Sequence, residues 1–204
     1  MLKEQMDAAI AHLEAEVRER FPGGRLLKHT FSVAETCRET ARRLGRSDTA
    51  PEAAYLAGLA HDLFKDRGHD KLRELVRSES VPIDRHSWLL GGGLLHAPAA
   101  AHYLRSRLGV RDAGLLAAVY YHTTGRAGAG VLERILFCAD YLDASRPKRS
   151  AEPGLESLRN KLKSSLDEVY GEVIRRKLVY TLSKGRPLHP SGVAAWNELC
   201  ALKP

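Results

Sequence analysis

Hydrophobic positions along the chain recur mostly at three- and four-residue intervals, the spacing that stacks side chains on one face of an α-helix. Leu2, Met6, Ile10, Leu13 and Val17 form one such stripe, which the "FPGG" of residues 21–24 brings to a stop. Leu26, Phe31, Ala34, Cys37, Ala41 and Leu44 point inward from a second helix, from about Leu26 to Leu44, closed by Gly45. "SDTAPEAAYLAGLAHDLF" predicts a third. There Pro51 pre-sets the first turn, Glu52 suits the positive helix end, and small residues permit close packing. "SESVPID" reads as a loop, and residues 85–96 as a short helix or turn ending in the glycines at 91–93. Pro98 opens "PAAAHYLRSRLG", with Gly109 as its stop. "RDAGLLAAVYYH", a glycine-rich turn "TTGRAGAG" and the amphipathic "VLERILFCADYLDASR" follow. The last third predicts one long helix, a turn over residues 185–190 and a short terminal helix. Alternating strand patterns, repeats and linkers are missing from this reading. The expected fold is all-α, one domain over 1–204: an N-terminal helix (1–24), a core (25–145) and C-terminal helices (146–204).

Composition narrows the class. At 204 residues, 44% hydrophobic and 28% charged, the chain is an ordinary soluble globule able to bury a sizeable core. It has no apolar run of the ~18 residues that a membrane span needs, and its charged N-terminus lacks a signal peptide's apolar segment. Cys37, Cys138 and Cys200 are few and far apart, which points to reduced thiols in a cytoplasm rather than disulfides or a thiolate zinc site. The net charge of +7 fits either a solvated basic surface or an anionic partner. Basic residues are scattered apart from "SRPKRS", without aromatic interleaving, so a small anion fits better than nucleic acid.

The polar residues set into the apolar stripes carry the chemistry. "LAHDLFKD" places His61 and Asp62 side by side in an apolar helix, and a buried aspartate is costly unless something positive meets it. His29 lies on or near the second helix's apolar face. His96 stands at a loop-to-helix junction, His122 ends "LLAAVYYH", and Asp140 lies within "ILFCADYLD". Singly, such a histidine is more often a core residue satisfied by hydrogen bonds, and such an aspartate a cap. Together the six would need many separate partners, whereas cations serve them at once. Imidazole nitrogen with carboxylate oxygen suits iron, manganese, zinc, nickel or cobalt. Lys65 shares Asp62's face if the helix continues, or is a solvated helix-end charge. Thr123–Arg126 reads as a surface turn or as a polyphosphate cradle. His189 reads as a turn residue or a substrate contact, and Asp143 as a cap or a partner of Arg146. His12, His69, His86 and His102 fit no ligand position.

"LAHDLFKD", "LLHAP", "YYHTTGR", "LERILFCADYLD" and "KGRPLHPSGVAAWN" together resemble the HD superfamily of metal-dependent phosphohydrolases. Within it they resemble the YqeK-like bacterial symmetrical diadenosine tetraphosphatases, over roughly residues 25 to 197. The His-Asp doublet alone is unspecific; the spacing of the other motifs is specific. The resemblance implies a helical bundle with a central site in which His29, His61, Asp62 and Asp140 hold one metal. His96 and His122 would hold a second, with Asp62 bridging. It implies a di-iron centre, with manganese, cobalt, nickel or zinc as other divalent candidates, and a bridging water that splits the tetraphosphate into two ADP. Asp62 and Lys65 would be catalytic; Lys65, Thr124, Arg126, Arg146 and His189 would contact substrate. Many relatives carry an acidic-Pro-Gly-Arg stretch where this chain has "DASRPKRS", which keeps Arg146 and adds Lys148 and Arg149. Two other readings share the scaffold: a nucleotidase or alarmone hydrolase, and a nucleotide-sensing binding module. The six filled ligand positions speak against the latter. Amphipathic helices at both ends leave a homodimer open.

Overall fold

The helices begin and end largely where the stripes place them, in a computed structural model that describes residues 3–45, 49–145, 152–162 and 164–201. In α1 (Lys3–Arg20), Ala9, Leu13 and Val17 are buried. Helix α2 (Arg25–Leu44) buries His29, Thr30, Val33, Ala34, Cys37, Thr40 and Ala41. It stops at Gly45, whose left-handed φ of 58° lets its N–H return to the Ala41 carbonyl at 3.2 Å. Leu2 and Arg146 lie outside the described residues.

Helix α3 (Pro51–Ala60) is buried on every side from Ala54 onward, so it occupies the middle of the molecule. It packs against α1, α2, α6 (His96–Ser106), α7 (Ala113–Tyr121) and α8 (Val131–Leu142). Small residues make this crowding possible. A Cβ on Gly58 would sit 2.4 Å from the Ala34 Cα, so the backbones of α2 and α3 touch there. After Ala60 the chain does not continue as α-helix. It tightens through i→i−3 bonds, Leu63 to Ala60 (3.1 Å), Lys65 to Asp62 (2.9 Å) and Arg67 to Phe64 (3.2 Å).

The periodicity reading is met within residues 85–96 and missed over residues 69–78, at the start of α6 and in the last third. A helix that it did not place, α4 (His69–Ser78), buries Leu72 and Val76, one turn apart. The element expected within residues 85–96 is α5 (Arg85–Leu90) followed by a 3₁₀ turn (Gly92–Leu94), and α5 is capped by the Asp84 carboxylate, which accepts from the His86 and Ser87 N–H groups. Helix α6 already starts at His96, and Pro98 falls in its first turn, where a missing N–H costs nothing. The expected long C-terminal helix is two: α9 (Leu155–Lys161) and α10 (Leu166–Ser183). The N–H groups of Ser164 and Ser165 both close on the Lys161 carbonyl, at 3.0 and 2.8 Å, and Asp167 and Glu168 open the next helix. Serines compete with helix interiors by favouring caps and turns. The last helix, α11 (Pro190–Ala201), packs on α10, which packs on α8. Among the described residues there is no strand.

Two of the glycines within helices, Gly58 and Gly171, predict opposite outcomes. Gly58→Ala should cost about 1–3 kcal/mol, because backbone rather than a flexible side chain must give way. Gly171→Ala, with only Leu199 Cδ1 near at 3.9 Å, should gain about 0.5–1 kcal/mol by restricting the unfolded chain. Denaturant unfolding of the two variants against the parent measures both signs.

Candidate metal centre

Six side chains from five segments meet at the centre of the bundle, all of them buried: His29, His61, Asp62, His96, His122 and Asp140. Two of the histidines owe their aim to helix ends. His61 follows the last residue of α3 and His122 the last residue of α7. Each hydrogen-bonds through Nδ1 to the carbonyl three residues back, Gly58 at 2.7 Å and Val119 at 2.8 Å. Carbonyls in the last helical turn lack intrahelical donors, so these bonds satisfy the helix and orient the ring together. A carbonyl can only accept, so the proton is on Nδ1 and each Nε2 turns a lone pair inward. His29 Nδ1 is held by the Asp143 carboxylate at 2.6 Å. His96 Nδ1 alone is buried without a hydrogen-bond partner among the described residues.

The inward nitrogens form two groups, one on each side of Asp62. Asp62 Oδ2 lies 3.6 Å from both His29 Nε2 and His61 Nε2, and Asp140 Oδ1 joins that side at 3.3 Å from His29. Asp62 Oδ1 lies 3.1 Å from His96 Nε2 and 3.5 Å from His122 Nε2. One carboxylate thus faces a donor set with each oxygen. His29, His61, Asp62 and Asp140 offer donor atoms within 4.8 Å of one another, and so do Asp62, His96 and His122.

The electrostatics require positive charge in both groups. The Nε2 atoms of His61 and His29 lie 3.2 Å apart, and those of His96 and His122 3.1 Å apart. Two lone pairs at that distance repel unless a cation or proton stands between them. Burial opposes a charge on His29, yet its bonds with Asp140, Asp143 and Asp62 outweigh this and raise its pKa to about 10. A proton therefore serves the first group. Burial pushes His61, His96 and His122 down, His122 to about 3, so those rings are neutral donors. In the second group the positive charge is Lys65, whose Nζ lies 3.2 Å from His96 Nε2 and 3.3 Å from Asp62 Oδ1. Burial alone would raise Asp62, but the polar groups around it, His61 first and then His122, His29 and His96, hold its carboxyl well below the usual carboxylate range. Inward imidazole nitrogens, three of them on rings anchored through the outer nitrogen, and an ionised carboxylate between the two groups are what a divalent transition metal binds, so the donor set fits metal ions.

The remaining sequence candidates lie around this centre. Lys65 reaches it even though the helix ends before it. Thr124 and His189 line one cavity with Thr123, which directly follows His122. His189 Nε2 is 3.1 Å from Ser87 Oγ and 3.3 Å from Asp84 Oδ1, so it also ties the turn before α11 to α5. Arg126 gives Nε and Nη2 to buried Glu133 at 2.6 and 2.7 Å, two donors taken up by a residue that is not among the six. Arg146 lies outside the described residues. Asp143 has a partner that neither sequence alternative included, His29, and accepts from Ser32 Oγ at 2.7 Å and from Ser145. The signal available for it was its place three residues after Asp140. His12, His69, His86 and His102 stay outside the cluster; their contacts are Tyr103, Arg73, the His189 ring and Glu79.

The comparisons with known proteins agree with this geometry. The HD domain family model matches residues 26–145. The chain is 33% identical to the "Bis(5'-nucleosyl)-tetraphosphatase, symmetrical" of Halalkalibacterium halodurans, over 84% of this chain and 87% of that protein. It is 30% identical to the protein of the same name from Bacillus subtilis, over 84% and 87%. For the one from Staphylococcus aureus the identity is 31%, over 82% of each. A crystal structure described as a predicted HD superfamily hydrolase involved in NAD metabolism, from Clostridium acetobutylicum, superposes with a TM-score of 0.78. It covers 95% of this chain and 97% of its own at 23% identity, and bears on the fold alone. With the motif spacing, the bridging aspartate and these matches in agreement, the chain belongs to the HD domain family.

Proposed function

We propose that this chain is a metal-dependent phosphohydrolase that cleaves diadenosine tetraphosphate symmetrically into two ADP. The observation that carries the reading is Asp62, one buried carboxylate whose two oxygens each face a separate pair of imidazoles. Names of relatives sharing most of the chain's length supply the substrate class. His29, His61, Asp62 and Asp140 would hold one divalent ion, and His96, His122 and Asp62 a second. When bound, two such ions lower the pKa of water and neutralise phosphate oxygens. Iron is the metal we favour, with manganese, cobalt, nickel and zinc also suited to these donors.

The chain's own groups do the rest. Lys65 is poised at the edge of the second group with its side chain 41% exposed, so its ammonium can swing to a phosphate oxygen once a metal takes its place. Thr124 and His189 would contact substrate from the adjoining cavity; Arg126 would shape the "TTGR" turn through Glu133, and Arg146 would extend the basic edge. One water is consumed. Its oxygen bonds to one central phosphorus, the bond from that phosphorus to the central bridging oxygen breaks, and both products leave as nucleoside diphosphates. No helix among the described residues is long and apolar enough to cross a membrane. We place the enzyme in the cytoplasm, possessing reduced thiols and acting on a small-molecule substrate, and leave a homodimer to direct measurement of mass in solution.

The deciding assay uses protein purified without oxygen and supplied with ferrous iron. Diadenosine tetraphosphate should yield ADP alone, two per substrate, on ion-exchange chromatography. ATP plus AMP would overturn the symmetrical assignment, and nucleoside plus phosphate would move the chain to the nucleotidases. His61→Ala and Asp62→Ala should each abolish turnover and empty the centre of metal while circular dichroism stays helical; Lys65→Ala should keep its metal and lose substrate use. Asp143→Asn should retain the fold but weaken metal affinity about 10–100-fold, since it removes the charge that orients His29. Metal analysis after graded chelation measures that loss.

A further inference from the structure

The two donor groups around Asp62 are built unequally. The first brings together four side chains, His29, His61, Asp62 and Asp140, and both of its rings are anchored from outside. The Asp143 carboxylate holds His29 at 2.6 Å, and the Gly58 carbonyl holds His61 at 2.7 Å. The second group brings together three, Asp62, His96 and His122. There the Val119 carbonyl anchors His122 at 2.8 Å, whereas His96 Nδ1 is buried without a hydrogen-bond partner among the described residues. Anchoring the outer nitrogen of a ligand is worth about 10–100-fold in metal affinity, so the second group is the weaker one on this ground alone.

It also has a competitor. Lys65 Nζ lies 3.2 Å from His96 Nε2 and 3.3 Å from Asp62 Oδ1, so one ammonium reaches two of this group's three side chains. The backbone puts it there. Lys65 N–H bonds the Asp62 carbonyl at 2.9 Å in the tightened turn after α3, and side chains three apart in such a turn lie over one another. No hydrogen bond or ion pair ties Lys65 to His29, His61 or Asp140. An ion bound by Asp62, His96 and His122 has to take two donors from the ammonium and then tolerate a like charge nearby. Lys65 is able to yield, because its side chain is 41% exposed on a flexible stem.

We infer that Lys65 guards the second group: its ammonium competes with the divalent ion there, so that the second position exchanges its metal while the first keeps it. The inference rests on the two-metal reading above. It makes the complete centre responsive to the concentration of free metal, with one ion resident and the other exchangeable.

Ferrous-ion binding to the full chain is measured by anaerobic equilibrium dialysis and graded chelation, with turnover followed in parallel. The parent should show two classes of ion, about tenfold or more apart. His122→Ala should bind a single ion with the affinity of the tighter class. Lys65→Met keeps the stem and removes the charge. Its weaker class should tighten about tenfold, since the ion no longer displaces a charge-assisted bond, while the tighter class stays within about threefold of the parent. Lys65→Arg keeps a charge and should not tighten the weaker class. A gain in affinity at one position is a readout that a damaged fold does not produce. Equal affinities in the parent, or a weaker class that is unchanged or looser in Lys65→Met, would overturn the inference and leave the two-metal reading standing. A parent that binds fewer than two ions sinks that reading, and the inference with it.

Discussion

A buried negative charge organises this molecule. Asp62 sits among buried apolar residues in the turn after α3, its pKa held low, with imidazoles on both of its oxygens. An isolated carboxylate could not stay ionised there, since the cost of leaving water would shift its pKa until it became neutral. Its neighbours are therefore part of the fold as much as of the chemistry. The imidazoles among them, aimed inward, cannot approach one another without a positive charge between them. The interior accommodates its polar groups as a cation site, with His29, whose carboxylate partners raise its pKa, on one side of Asp62 and the Lys65 ammonium on the other.

The packing supplies the precision. The backbones of α2 and α3 touch at Ala34 and Gly58, which fixes the separation between the helix that carries His29 and the helix end that carries His61. The Gly58 carbonyl then holds the ring of His61, so one residue provides both the close approach and the orientation. At α7 the arrangement recurs with Val119 and His122. Helix termini serve here because their spare carbonyls hold a ring in one tautomer.

Legibility in the sequence followed the range of the interaction. Local signals placed most helices: Pro51 at a first turn, Gly45 with its positive φ, the stripes of α1 and α2. The break between α9 and α10 was harder, because the apolar spacing runs on through Ser164 and Ser165 and only their capping preference marks it. The buried cluster was readable because six histidines and aspartates in apolar surroundings share one explanation. Asp143 was not, since its partner His29 lies 114 positions away along the chain. Nothing in a local pattern announces such a partner. Arg126 shows the converse: its place after a ligand suggested substrate, while a glutamate seven residues on takes two of its donors.

The distribution of the ligands has a mechanical consequence. His29 and His61 are 32 residues apart, His96 and His122 are 26 apart, and Asp62 belongs to both groups. Ions bound at both groups would act as non-covalent crosslinks that close several long loops at a single point, much as a pair of disulfides would. Because the unfolded chain cannot present these donors together, the free energy of binding adds to that of folding. Scarcity of metal would then lower the lifetime of the protein as well as its activity, and the loops between ligands would become the first places a protease could cut.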